Sequence, residues 1–348
     1  MKIAFFVNEV SENEKAVATN RLVMAAINRG HEAWIIPSDS FFFDEDDRVK
    51  AIAIRPTKKK YKSSEVFSRD IMSAKVKTET IIVGDLDVLF LRSDPASETH
   101  SRTWARRVGL DFGRAAMRQG VLVVNDPNGL STALNKMYFQ LFPQSIRPKT
   151  IITRSNTQIR EFANRHNQNI VLKPLQGPGG QGIFFVREHE MSNLNQIVDT
   201  LGSGGYIIAQ EFLSGAEEGD TRMFIMNGQI LKYKGRYAAY RRVRKGGHDS
   251  QGFIGSSRFE KVEVTDDMLE VAEVVRPKLI QDGMFLVRLD LIGSKLIEIN
   301  VFTPGGLEIA QQFEGSNFFH AVINSLERKV EYMNHDYQHF MNIDLAVL

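Results

Sequence analysis

Residues 169–186 read NIVLKPLQGPGGQGIFFV: two apolar runs separated by six residues, four of them glycine. Runs of this composition read as strand, turn, strand. The turn is not a P-loop, because no Gly-Lys-Ser/Thr follows it and the next element is a strand rather than a helix. A dinucleotide-binding fingerprint fails on the same ground. Two readings remain: a plain hairpin, or a lid whose successive backbone N–H groups cradle phosphate oxygens. Taken alone, the segment reads first as a turn. Lys173 shifts the balance, because a lysine inside the apolar run IVLKPL costs free energy unless an anion meets it.

The remaining sequence bounds the classes of protein available. At 348 residues, 43% hydrophobic and 25% charged, the chain has the composition of a globular protein of two or three domains. A net charge of +2 supplies no global field toward nucleic acid or membrane, and neither is expected as a partner. The absence of cysteine excludes disulfides, thiolate nucleophiles and Cys-ligated zinc. The N-terminal MKIAFFVNEV has too short an apolar run for a secretion signal, and no run approaches a membrane span. A cytoplasmic location is the expectation.

KIAFFV, EAWIIP, LDVLFLR (Leu86–Arg92) and VLVVN read as strands, while helical periodicity over Ala16–Arg29 stops at Gly30 and over Arg102–Gln119 at Gly120. The alternation predicts parallel βαβ units, hence an open parallel α/β domain over residues 1–130. Its basic loop RPTKKKYK (Arg55–Lys62) reads as a solvated surface. From 131 to 212 the pattern becomes antiparallel α+β: strand KTIITR, a helix over Thr157–His166, the glycine-rich pair, and a helix over Asn193–Leu201 capped by Ser192. Residues 213–348 form a second α+β unit, with strands joined by turns such as MNGQ.

Two further stretches carry chemistry. In RLDLIGSKLIEIN, Asp290 lies on one strand and Glu298 and Asn300 lie two apart on the next, so the latter share a face. Three oxygen ligands on adjacent strands suit Mg²⁺ that also binds nucleotide phosphates; a hairpin with a polar outer face fits as well. In IIAQEFLSGAEEGDTRMFI, an edge backbone can read adenine and a carboxylate can hold ribose hydroxyls, though each piece alone is a strand and a solvated loop. The eight histidines form no metal motif, since His335 and His339 at i, i+4 lack the glutamate of a zincin.

Taken in order, LDVLFLRSDP, VNDPNGLSTALNKMY, IVLKPLQGPGGQGIFFV, AQEFLSGAEEGDTRM and RLDLIGSKLIEINVFTP resemble the ATP-grasp superfamily, and within it the bacterial glutathione synthetases, from Met1 to about Arg328. The resemblance implies an ATP-grasp fold in which two α+β subdomains clasp ATP. It implies that Lys136 and Lys173 bind the α- and β-phosphates, and that Gly177, Gly179, Gly180, Gln181 and Gly182 cover the β- and γ-phosphates. Backbone over Gln210, Glu211, Phe212 and Leu213 would read adenine, with Asp220 near the ribose. Asp290, Glu298 and Asn300 would hold two Mg²⁺ ions, Mn²⁺ being a substitute. Arg222 would face the γ-phosphate and the reacting carboxylate, while Arg242, Arg258 and Arg92 would meet an acidic donor.

The implied activity is ATP-dependent ligation of a carboxylate donor to an amine acceptor through an acyl phosphate, here γ-glutamylcysteine and glycine, in a homo-oligomer. The acceptor side departs from the family pattern. The Arg-Gly-Asn run is replaced around Ser250–Gly252, in a loop made basic by Arg241, Arg242, Arg244 and Lys245. Gly246 and Gly247 still match, and Gly305 and Gly306 before a helix suit carboxylate capture. A ligase of another specificity, or a nucleotide-binding protein without ligase activity, are the alternatives.

Overall fold

The computed structural model describes residues 1–11, 14–73, 76–175, 182–244, 257–335 and 340–348. Its first sheet has seven strands: β1 (Lys2–Val7), β2 (Glu32–Pro37), β3 (Phe41–Phe43), β4 (Val49–Arg55), β5 (Lys77–Ile82), β6 (Val88–Leu91) and β7 (Leu122–Val124). The helices α1 (Glu14–Asn28), α2 (Ser64–Ile71), α3 (Val108–Arg118) and α4 (Pro127–Thr132) accompany them. β2, β1, β6 and β7 are neighbours and parallel, as the alternation predicts. The sheet as a whole is mixed, which corrects the expectation of a parallel domain: β4 pairs antiparallel with β2, β3 and β5. The reason is connection length, because the short links β2–β3–β4 cannot carry a crossover helix. The half-polar KTETII of β5 lacks the continuous apolar character of a strand buried on both faces.

The helix expected over Arg102–Gln119 begins later than its periodicity suggests. Residues His100–Arg107 form 3₁₀ turns and α3 starts at Val108. Gly109 allows this helix to approach β1, since a Cβ there would lie 2.5 Å from the Phe6 ring.

The second sheet is a four-stranded antiparallel unit: β8 (Thr150–Thr153), β9 (Ile170–Pro174), β10 (Phe184–Val186) and β11 (Ile207–Glu211), in the order β10-β9-β11-β8. Helices α5 (Asn156–Arg165) and α6 (Leu194–Gly202) cover it and close a small core of their own, including Phe162, Leu172, Val198 and Ile207. Ser192 does not cap α6, because Glu188–Asn193 is a 3₁₀ turn leading into it.

The third sheet contains β12 (Asp220–Met226), β13 (Gln229–Ile230), β16 (Ala239–Arg244), β17 (Ser257–Glu260), β18 (Leu286–Ile292) and β19 (Lys295–Asn300), with the small hairpin β14 (Lys232–Tyr233) and β15 (Arg236–Tyr237) beside it. The predicted MNGQ turn is present, with Asn227 at φ 54° and Gly228 at φ 72°, the left-handed pair a two-residue hairpin needs. Helices α7 (Asp266–Gln281), α8 (Leu307–Glu314), α9 (Phe318–Asn334) and α10 (Asn342–Val347) complete the chain.

The first and third sheets share their cores. Met223, Leu289 and Leu291 pack in one cluster with Leu89 and Val123, and the rings of Phe90 and Phe285 meet at 5.7 Å. Asn125 joins them with hydrogen bonds, donating to the carbonyls of Leu286 (3.2 Å) and Val301 (2.6 Å) and accepting from the Leu286 amide (2.9 Å). Among the described residues no helix is long and apolar enough to cross a membrane.

Candidate active site

Tyr240, Arg222, Asp290 and Glu298 are register partners across four adjacent strands, β16, β12, β18 and β19. Period-two alternation places Asp220, Arg242, Arg288 and Asn300 on the same face. One face of the third sheet is therefore a continuous charged row, while Met223, Ile225 and Leu289 on the other face enter the core.

The row is locked by its own charges. Asp290, 1% exposed, is gripped in bidentate fashion by Arg288 at 2.6 and 3.0 Å, and Arg222 approaches it at 3.6 Å. Burial pushes the Asp290 pKa up, but the charges of Arg288 and Arg222 outweigh it and hold the carboxyl below its ordinary value. Arg222 shows the converse balance: burial disfavours its charge, but Asp290, Tyr240 and Asp220 raise its pKa overall. Asp220, 2% exposed, accepts from Arg242 at 2.6 and 2.8 Å and from Arg222 at 3.3 Å. Tyr240 completes the row with its hydroxyl 3.3 Å from Arg222.

Beside this row opens a cleft of about 1040 Å³, lined by Lys136, Lys173, Gln210, Glu298 and Asn300, with Asp94 and Arg106 on the wall from the first domain. Lys173 donates to the Gln210 side chain at 2.9 Å and Lys136 to the Pro174 carbonyl at 3.0 Å. Burial pulls the Lys136 pKa down, against the attraction of Glu298 and Asp94. Two cations lining one cleft suit a polyanion.

The structure brings together Lys136, Lys173, Gln210, Glu298 and Asn300, and sets other expected residues apart. Gly177, Gly179, Gly180 and Gln181 lie outside the described residues, as do Lys245, Gly246, Gly247 and Ser250–Gly252. Gly182 is described, at φ 69°. The stretch expected to read adenine from a sheet edge is interior up to Glu211, since β11 pairs with both β8 and β9. The Glu211 and Phe212 amides donate to the carbonyls of Lys149 (3.0 Å) and Asn169 (3.2 Å). The Leu213 amide has no such partner among the described residues and remains available. Asp220 is not placed for ribose hydroxyls, because its carboxylate is buried and taken up by two arginines. Arg258 is exposed and pairs with Glu260. The Gly305–Gly306 pair serves packing: Gly305 accepts from Arg288 at 3.1 Å, and a Cβ on Gly306 would lie 2.0 Å from the Tyr240 hydroxyl.

Glu298 and Asn300 present oxygen donors to the cleft, which fits a hard divalent cation that completes its shell with water and phosphate. Asp290 does not present such a donor in this arrangement, because Arg288 occupies both its oxygens. Among the described residues no group of three or more His, Cys, Asp or Glu side chains is arranged to hold a metal.

Sequence reasoning passed over Arg288 and Tyr240. The signal for Arg288 was the one used for Lys173, a cation in an apolar strand. It named Arg92 but passed over the other members of the buried polar cluster around it. The Arg92 guanidinium, 2% exposed, donates to Thr19 (3.2 Å) and to the Pro304 carbonyl (3.1 Å), with its other terminal nitrogen unpaired. Arg21 Nε, Glu308 Oε2 and Gln311 Oε1 are also buried and unpaired. Burial raises the Glu308 pKa, opposed by the nearby charges of Arg21 and Arg92.

The N-terminal domain model of prokaryotic glutathione synthetase matches residues 1–131, and the ATP-grasp domain model of the same family matches residues 135–315. The glutathione synthetase of Synechococcus elongatus is 31% identical over 336 residues, 95% of this chain and 99% of that protein. That of Escherichia coli K12 is 32% identical over 231 residues, 66% of this chain and 69% of that protein. Among solved structures, D-cycloserine synthetase DcsG aligns over 94% of this chain and 99% of its own, with TM-score 0.62 at 13% identity. D-alanyl-alanine synthetase A from Vibrio cholerae aligns over 95% and 98%, with TM-score 0.59 at 11% identity; at these identities the likeness is one of fold. Matching across both domains and nearly the full length of a relative, the chain belongs to the prokaryotic glutathione synthetase family of ATP-grasp ligases, enzymes that use ATP and a divalent metal.

Proposed function

We propose that this ligase joins γ-glutamylcysteine to glycine, converting ATP to ADP and phosphate through an acyl phosphate. The observation that carries the reading is the pairing of a two-lysine cleft, also lined by Glu298 and Asn300, with the Tyr240–Arg222–Asp290–Glu298 row that runs alongside it. Lys136 and Lys173 hold nucleotide phosphates, and the free Leu213 amide reads the adenine. Glu298 and Asn300 would hold Mg²⁺, which neutralises charge on the phosphoryl oxygens when bound.

Arg222, oriented by Asp220, Asp290 and Tyr240, steers the cysteinyl carboxylate of the donor toward the γ-phosphorus. A carboxylate oxygen attacks in line, the bond to the β–γ bridging oxygen breaks, and ADP leaves. The glycine amine then adds to the acyl carbonyl. The resulting tetrahedral centre loses a proton and collapses to the amide, with phosphate as the leaving group. Arg222 offsets the charge on the transferring group, and no protein nucleophile is required, consistent with a chain lacking cysteine. Arg92 and Arg21, with Glu308 and Gln311, hold the amino-acid head of the donor, because unpaired groups of both signs complement a zwitterion. A reducing cytoplasm, where a cysteine-containing donor stays thiol, is the setting we infer.

Phosphate release should require ATP, γ-glutamylcysteine and glycine together, with glutathione as the product. Robust turnover with another acid–amine pair, and none with this one, would overturn the substrate assignment.

A further inference from the structure

The proposed reaction brings three carboxylates to the protein. One reacts beside Arg222, a second belongs to the amino-acid head of the donor, and the third is carried by the acceptor. The first two have partners in the groups already named. The third needs a cation that lines the cleft and is not committed elsewhere.

The wall from the first domain carries such a group. Arg106 lies in the 3₁₀ segment His100–Arg107 that precedes α3 and lines the large cleft. Its side chain is half-buried, and its Nε is buried with no hydrogen-bond partner. The acidic residues of the same wall do not neutralise it. Asp94 accepts from the Ala96 amide (2.9 Å) and the Ser97 hydroxyl (2.8 Å), while Glu98 accepts from Asn8 (2.6 Å) and Arg102 (3.0 Å). The neighbouring Arg107 points to a surface pair with Asp111 at 3.7 Å. Arg106 is thus distinguished on this wall as a half-buried guanidinium with a buried, unpaired Nε and no ion pair among the described residues. An unpaired donor of this kind is costly unless a ligand satisfies it, and a guanidinium is matched by the two oxygens of a carboxylate.

We propose that Arg106 binds the carboxylate of the amine acceptor and so selects an α-amino acid over a simple amine. The inference rests on the proposed ligase function and adds the acceptor subsite to it. A cation from the first domain then faces the metal-binding and phosphate-binding groups of the other two sheets, so the acceptor bridges the cleft.

The test compares glycine with glycinamide, which keeps the amine and lacks the carboxylate, in the wild-type enzyme and in Arg106→Ala. Wild type should favour glycine in kcat/KM by about 10- to 100-fold, the range of one charge-assisted hydrogen-bond pair. Arg106→Ala should lose most of that preference through a higher KM for glycine, with the KM values for ATP and γ-glutamylcysteine unchanged. Equal wild-type use of both acceptors would overturn the inference without any variant. So would an Arg106→Ala enzyme whose KM rises for ATP or donor rather than for glycine. An inactive wild-type enzyme with both dipeptide and glycine would instead strike at the function on which the inference rests.

Discussion

The four-stranded unit at residues 150–211 and the rest of the molecule are built on opposite plans. The small unit closes its own core between one sheet and two helices. The first and third sheets pack across a common interior, with Phe90 against Phe285 and Asn125 stitched to Leu286 and Val301. The two regions meet through contacts such as the Lys136 amide with the Leu175 carbonyl at 3.3 Å and the Phe185 ring against Phe212. A unit with a separate core can open as a body at low free-energy cost, whereas a sheet in a shared core opens only with the whole fold. The difference separates the two lysines of the cleft: Lys173 sits on the unit with its own core, while Lys136 and the arginine–carboxylate row sit on the larger body. On the proposed function, closure of the small unit would carry Lys173 over the fixed row, a mobile clamp on a fixed centre.

The largest expected effect breaks the fixed side. Arg288→Met leaves Asp290 buried without its bidentate partner, a change that costs about 3–5 kcal/mol. Denaturant unfolding should show this loss, and the double variant Arg288→Met/Asp290→Leu should recover most of the stability while remaining inactive. Recovery of activity in the double variant would mean that the row is only structural.

On the mobile side the pattern should invert. Lys173→Ala should leave global stability within about 1 kcal/mol, yet weaken ATP binding by about 10- to 100-fold through loss of a charge-assisted contact. Calorimetric titration with ATP and a metal measures the second effect; unfolding midpoints measure the first. A large stability loss with unchanged nucleotide affinity would reverse the assignment of roles.

The smallest effect is a pH slope confined to the shared body. Lys329 on α9 is fully buried against the Phe285 ring (5.2 Å) and donates to the Leu345 (2.9 Å) and Leu348 (2.7 Å) carbonyls. Burial lowers its pKa to about 7. A lysine whose folded pKa lies below its unfolded value binds fewer protons when folded, so stability should rise with pH above about 7 and level off near the ordinary lysine pKa. Lys329→Met should flatten this rise. A variant with the same slope as wild type would remove Lys329 as its source.

Much of this division was readable in the sequence, and the failures have physical causes. Lys173 stood out because a cation in IVLKPL has to be accounted for, and Glu298 and Asn300 because a spacing of two is one sheet face. The row itself depends on the register of four strands distant in sequence, which no local pattern contains. Asp290 was visible as a carboxylate, but its engagement by Arg288 depends on both facing the same way in a buried strand. The order β10-β9-β11-β8 makes β11 interior, while its apolar sequence fits an edge equally well. Arg106 was hidden by 3₁₀ turns in a segment read as regular helix, where its direction toward the cleft carries no periodic signal.

The central claim is that the fixed row and the mobile clamp cooperate to make an acyl phosphate. γ-Glutamylcysteine labelled with ¹⁸O in its cysteinyl carboxylate, incubated with ATP, metal and glycine, tests it directly by mass spectrometry of the products. Transfer of one labelled oxygen to each phosphate released, in step with glutathione formation, is the predicted result. Unlabelled phosphate accompanying glutathione would contradict the account.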